Sequence, residues 1–155
     1  DKMRAETQAR EAWRSGPLNN DDEARLYRFA GSRFNAADHD AHVDRLLWAS
    51  STSAAERWIA YTSPHRRPAF AAALATRLKA ADADFKVQEA RASADSEASL
   101  IAARVDALRA SGNSFGVRTL LANRGTLAAP APVLKDWYQL LLSTVQESFS
   151  GKRCL

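Results

Sequence analysis

An all-α fold is what this sequence predicts, built as a superhelical, solenoid-like array of stacked helical hairpins over residues 1–155. Three observations predict it. The chain holds 32 Ala and 16 Leu against 6 Val, 2 Ile and 6 Gly. Ala and Leu lead the helix-propensity order, whereas β-branched residues favour strands. Apolar residues recur at i, i+3 and i+4 between short breaks of Gly, Pro, Ser and Asn. The third observation is an internal echo. Shifted by 61 residues, Ala49, Ser50, Ser53, Arg57 and Ile59 fall on Ala110, Ser111, Ser114, Arg118 and Leu120. Each copy reads as a long helix, a tight polar break and a short helix. Trp13-Arg14-Ser15-Gly16 followed by Glu23-Ala24-Arg25 is a looser third copy. Repeats of this kind bury their apolar faces on one another; a plain helix bundle is the competing arrangement.

The elements follow in order. Met3 to Ser15 reads as a first helix, stopped by Gly16-Pro17. Asn20 is placed to cap a second, with Asp21, Asp22 and Glu23 at its positive end and Leu26, Phe29 and Ala30 on one face. Asn35 caps a third, whose Val43, Leu46 and Leu47 form a buried stripe. Ser53 opens a short fourth with Trp58 and Ile59. Ser63-Pro64 starts a fifth through Phe70, Leu74 and Leu78, with Pro68 in its first turn. A short helix is expected over 84–92. Ile101, Val105 and Leu108 mark a helix ended by Ser111-Gly112-Asn113. Val117, Leu120 and Leu121 mark the next, ended by Gly125. After the Ala/Pro loop Thr126–Pro132, Val133, Trp137, Leu140 and Leu141 mark a last helix to about Ser148.

The net charge of +4 lies entirely in the last third. Residues 98–155 hold seven Lys/Arg and three Asp/Glu, while residues 1–97 balance at fifteen each. The excess is spread as Arg104, Arg109, Arg118, Arg124, Lys135, Lys152 and Arg153. A nucleic-acid binder usually shows a clustered basic stripe on a recognisable module; without either, solvated helix faces are expected and nucleic acid is not a partner. No stretch approaches the ~20 apolar residues of a membrane span. The lone Cys154 makes neither an intrachain disulfide nor a cysteine metal cluster.

Phe34 to Trp48, reading FNAADHDAHVDRLLW, resembles a signature of the long helical domain of soluble lytic murein transglycosylases, most closely the alphaproteobacterial branch. Trp13-Arg14-Ser15-Gly16, Asp22-Glu23-Ala24-Arg25-Leu26, Arg33-Phe34 and Thr62-Ser63-Pro64 follow the same succession. So do Gly112-Asn113, Arg118-Thr119-Leu120-Leu121-Ala122 and Trp137-Tyr138-Gln139-Leu140-Leu141. The resemblance implies a periplasmic protein directed by a signal peptide. It also implies a superhelical frame beside a separate lysozyme-like domain that cleaves glycan strands to 1,6-anhydro ends. This chain would then be a segment of the frame, without the catalytic domain. Peptidoglycan strands or cell-wall proteins would be its partners, and it would use no cofactor.

Two constellations bear on chemistry. Asp38-His39-Asp40 with His42 and Asp44 is the densest polar cluster. Histidine beside carboxylates suits a metal or acid–base work. Helical spacing puts Asp38 with His42 and Asp40 with Asp44, and the only other histidine is His65. Asp38 follows Asn35 by three residues, so capping and interhelical hydrogen bonds are the expected roles. Gln146-Glu147-Ser148 matches the context of the family's catalytic acid. A lone carboxylate at a helix end, followed by Ser150, Gly151, Lys152 and Arg153, lacks the dry pocket that raises a catalytic pKa. No catalytic residue is therefore assigned. The four tryptophans sit near apolar stripes, where core packing is the default. Three readings result: a non-catalytic frame segment, a stand-alone helical adaptor, and a small enzyme using Glu147.

Overall fold

The computed structural model describes residues 1–150; Cys154, Lys152 and Arg153 lie outside the described residues. Those residues form nine α-helices and no strand: α1 (Lys2–Arg14), α2 (Asn20–Ala30), α3 (Ala36–Trp48), α4 (Thr52–Trp58), α5 (Arg67–Arg77), α6 (Ala83–Glu89), α7 (Ala98–Ala110), α8 (Ser114–Ala122) and α9 (Leu134–Ser150). Consecutive helices pair as α1–α2, α3–α4, α5–α6, α7–α8 and α8–α9. The odd-numbered helices also touch in turn, α1 on α3, α3 on α5 and α5 on α7, and α3 reaches α7 as well. Helix α3 is thus central.

The caps explain most boundaries. Asn35 and Asp38 form a reciprocal capping box at the start of α3, satisfying two backbone donors that the first turn leaves free. Asn113 caps α8 by accepting from Gly116 N–H. Helices α3, α5 and α7 end alike. The N–H groups of Ser51, Ala80 and Asn113 reach back five residues to Leu46, Ala75 and Leu108 carbonyls, while Ser50, Lys79 and Gly112 adopt positive φ of 58°, 53° and 72°. Each closes the orphan carbonyls of its helix. Gly112 is suited to that conformation; Ser50 and Lys79 are not. Lys79→Gly is expected to stabilise the fold by up to about 1 kcal/mol, read by urea denaturation. A loss of stability would show that Lys79 does more than turn the chain.

These turns also place the repeat. Helix α3 maps on α7, and α4 on the start of α8, at a shift of 62 residues (Ala36 on Ala98, Thr52 on Ser114), not 61. The echo of residue identities is one position out of register with the echo of structure, because the recurring hydrogen bonds fix the turn and the surface side chains drift around it. The structural shift brings Val43 onto Val105 and Ala55 onto Val117, all four fully buried.

Other boundaries differ from expectation. Asn19, not Asn20, caps α2. Helix α4 opens at Thr52, and α5 at Arg67 rather than after Ser63. Asp40 accepts from both the Ser63 N–H and hydroxyl, and Pro64–Arg66 form a turn whose Arg66 and Arg67 N–H groups donate to the Ser63 carbonyl. Helix α6 ends at Glu89, α8 ends before Gly125, and α9 runs to Ser150. Phe29 and Leu78, assigned to apolar faces, are exposed.

Two apolar clusters make the core. Val43, Leu46, Leu47, Phe70 and Leu100 join α3, α5 and α7; Ile101, Val105, Val117, Leu120, Leu121 and Trp137 join α7, α8 and α9. Helix α5 contributes buried Ala69, Ala72, Ala73 and Ala75. Small side chains let it approach α3, α4, α6 and α7 together, which is what the alanine excess does here. Leu47→Ala is expected to cost about 2–5 kcal/mol, whereas Glu147→Gln, at a half-exposed ion pair with Arg109, stays within about 0.5 kcal/mol. Equal melting shifts for the two variants would contradict this assignment of faces.

Candidate functional site

The polar face of α3 is the most organised feature of the molecule. Five of its polar residues, Asp38, His39, Asp40, His42 and Asp44, are buried. Burial of charge is tolerated only when partners are supplied, and four of the five reach a different element. Asp38 accepts from Arg14 Nε at 2.5 Å and lies 3.1 Å from Arg10 Nε, which ties α1 to the start of α3. Asp40 accepts from the Ser63 N–H at 2.7 Å and its hydroxyl at 2.5 Å, holding the segment before α5. Asp44 accepts from the Ser99 hydroxyl on α7 and lies 3.7 Å from Arg66. Arg66 in turn forms a two-pronged pair with buried Glu97 at 2.8 and 2.7 Å.

His42 is fully buried against α1 and α2. Its Nδ1 is 2.7 Å from the Trp13 carbonyl, which only accepts, so Nδ1 carries the hydrogen. Its Nε2 faces Glu23 Oε2 at 3.3 Å, and Arg57 donates to the other Glu23 oxygen at 2.7 Å. Burial pushes His42 below the usual histidine range, against the opposing pull of the Trp13 carbonyl and Glu23. Burial also pushes His39 down, with His42 adding to it. Glu23 is pulled up by burial, but the Arg57 hydrogen bond and charge help hold it below the ordinary carboxylate value. Around this group Trp13 stacks on His42 at 3.9 Å and on Phe34 at 5.0 Å, and meets Trp58 edge-on at 4.8 Å.

No family model, curated protein or solved structure matches this chain. What the residues can do is therefore read from their own geometry. Among the described residues no group of three His, Cys, Asp or Glu is placed to hold a metal ion. Asp40 and Asp44 line a cavity of about 300 Å³ with Arg14, Arg45 and Arg66, and Ala129, Pro130 and Pro132 complete its lining. Both carboxylates accept hydrogen bonds from serines. His65 stands apart and exposed.

Glu147 lies on α9, 45% exposed and 3.4 Å from Arg109, away from the α3 cluster. Trp13 and Trp137 are buried, and Trp48 and Trp58 half-buried; Trp48 donates to Asp136 at 3.3 Å. Sequence reasoning missed four partners: Glu23, Arg57, Arg66 and Glu97. Glu23 reads as an ordinary acidic first-turn residue, and no spacing rule links residues 31 to 34 positions apart.

Asp44 gives the cluster a pH signature. Burial raises its pKa from 3.8 to about 6, against the Ser99 hydrogen bond and Arg66, with Glu97 and Asp40 adding to the rise. The folded state therefore holds this proton more tightly than the unfolded chain. The resulting stability is full below the unfolded value and is lost as pH rises through about 6. His39 and His42 act oppositely: their neutral forms favour the fold above the unfolded histidine value of 6.5, and this is lost as pH falls through their lower folded values. Comparison with Asp44→Asn isolates the carboxyl. On going from pH 7 to pH 4 the parent is expected to gain on the order of 2 kcal/mol relative to the variant. A constant difference across that range, by urea denaturation, would refute the assignment.

Proposed function

We propose that this chain is a helical frame segment of a periplasmic peptidoglycan lytic transglycosylase, positioning a catalytic domain and guiding glycan strands or partner proteins. The observation that carries the reading is the commitment of α3's signature residues to neighbouring helices. In the stretch that resembles the family, Asp38 and His42 engage α1, Asp40 engages the segment before α5, and Asp44 engages α7. A segment wired in this way acts as a rigid brace. The stacked-hairpin, superhelical arrangement is supported by the paired helices and by the three identical turns that end α3, α5 and α7.

A non-catalytic role for the chain alone is supported by the setting of Glu147, half-exposed and paired with Arg109. The test pairs two measurements on purified peptidoglycan. Product chromatography is expected to show no release of anhydromuropeptides between pH 4 and 8, and co-sedimentation is expected to show weak binding that falls with salt. Product formed by the parent and lost in Glu147→Gln would overturn the non-catalytic reading. No co-sedimentation at any salt would remove glycan guidance and favour the second reading, a helical adaptor for proteins, which the exposed apolar face of α9 supports.

A further inference from the structure

Helix α9 carries two apolar faces. Trp137, Leu140 and Leu141 pack inward in the second core cluster, with buried Thr144 beside them. Tyr138, Leu142, Val145 and Phe149 point outward, 60%, 55%, 52% and 63% exposed. Their 4-3-4 spacing is that of a helix–helix seam. A surface helix of a globular domain ordinarily shows one such stripe, and a second one marks a contact still to be made. The three charged residues of α9 are Lys135, Asp136 and Glu147. Asp136 accepts from Trp48 and Glu147 pairs with Arg109, both on the inner side.

The stripe borders a groove of about 380 Å³ between α8 and α9, floored by Leu121, Leu141 and Val145. Arg118 on α8 and Arg124 in the loop after it line the groove, both exposed, and no carboxylate lines it. Arg124 donates to the Leu121 carbonyl and lies 6.0 Å over the Trp137 ring; Arg118 makes no ion pair among the described residues.

We propose that this face docks an amphipathic helix with an acidic flank, supplied by another protein: its apolar seam on Tyr138, Leu142, Val145 and Phe149, its carboxylates toward Arg118 and Arg124. The charge on the groove selects this occupant. A second copy docked by the same face offers no acid there, since α8 carries none and the two carboxylates of α9, Asp136 and Glu147, are engaged on its inner side. Among the described residues no helix covers the outer face of α9. The inference rests on this face alone and not on glycan binding, so it can fail or hold independently of the frame reading.

Two synthetic peptides of about 18 residues test it. They share leucines at i, i+4, i+7 and i+11; one carries glutamates on its flanks and the other lysines. By fluorescence anisotropy with the 155-residue chain, the glutamate peptide is expected to bind about tenfold or more tightly than the lysine peptide, and less well as salt rises. Leu142→Glu is expected to abolish that binding. Arg118→Glu, an exposed change, is expected to reverse the preference and keeps the test open should Leu142→Glu not fold. Equal binding of the two peptides, binding indifferent to Arg118→Glu, or no binding of either overturns the proposal. So does a dimer of the parent chain that sediments as a monomer on Leu142→Glu, which would make a second copy the occupant.

Discussion

Trp13→Ala is expected to lower the unfolding free energy by about 3–5 kcal/mol, a large share of the ~5–15 kcal/mol that holds a domain together. The indole is fully buried. It fills the space between His42, Phe34, Tyr27 and Trp58, with ring centres 3.9 to 5.7 Å away. Its Nε1 has no hydrogen-bond partner, so removal forfeits packing rather than a hydrogen bond. The His42 hydrogen bond to the Trp13 carbonyl uses backbone and survives in the variant. What is lost is the wall that keeps His42 and Glu23 dry. The cavity left by a large aromatic cannot close where three helices meet. Trp13→Phe, which keeps a ring on His42, is expected to recover most of the stability. A cost below about 1 kcal/mol for the alanine variant in urea denaturation would show that α1 is only loosely joined to α2 and α3.

Asp38→Ala is expected to cost about 2–4 kcal/mol. The carboxylate is fully buried and serves three purposes. It accepts from the Asn35 N–H at 2.9 Å to close the capping box, it sits at the positive end of α3, and it holds Arg10 and Arg14 of α1. A cap alone is worth about 0.5–2 kcal/mol, and hydrogen bonds to a charged group contribute more than neutral ones. The arginine side chains are 44% and 45% exposed, so water can solvate them once the acid is gone, and the loss falls short of the full cost of stranding a buried charge. Asp38→Asn retains an acceptor but not the charge and is expected to lie between parent and Ala. Arg14→Ala is expected to cost less than either, because Arg10 remains. Stability measured on the three variants should follow that order, and an Arg14→Ala loss equal to Asp38→Ala would assign the effect to α1 anchoring rather than to the cap.

The helices were legible in the sequence wherever local chemistry decides them. The Asn35–Asp38 box, the Val43/Leu46/Leu47 stripe and the Ser111-Gly112-Asn113 stop all use residues within one or two turns of each other, and each stands as expected. The start of α5 was not legible. Ser63-Pro64 has the chemistry of a helix start, but Pro64–Arg66 form a turn, with the Ser63 carbonyl accepting from both Arg66 and Arg67, and the helix opens only at Arg67. Ser50 and Lys79 at positive φ were equally hidden, since neither residue type announces that conformation.

The α3 cluster divides in the same way. Its density of Asp and His, and the capping role of Asp38, are sequence properties. That Asp40 meets Ser63, Asp44 meets Ser99 and His42 meets Glu23 depends on contacts 19 to 55 residues apart, which no local spacing encodes. Composition and local spacing suffice to make the protein all-α: alanine and leucine carry helix propensity, and caps and stops act within a turn. The tertiary structure alone decided which polar groups are buried, which partner each one has, and which face of α9 stays open. Those outcomes depend on desolvation, and desolvation is set by what the other helices cover.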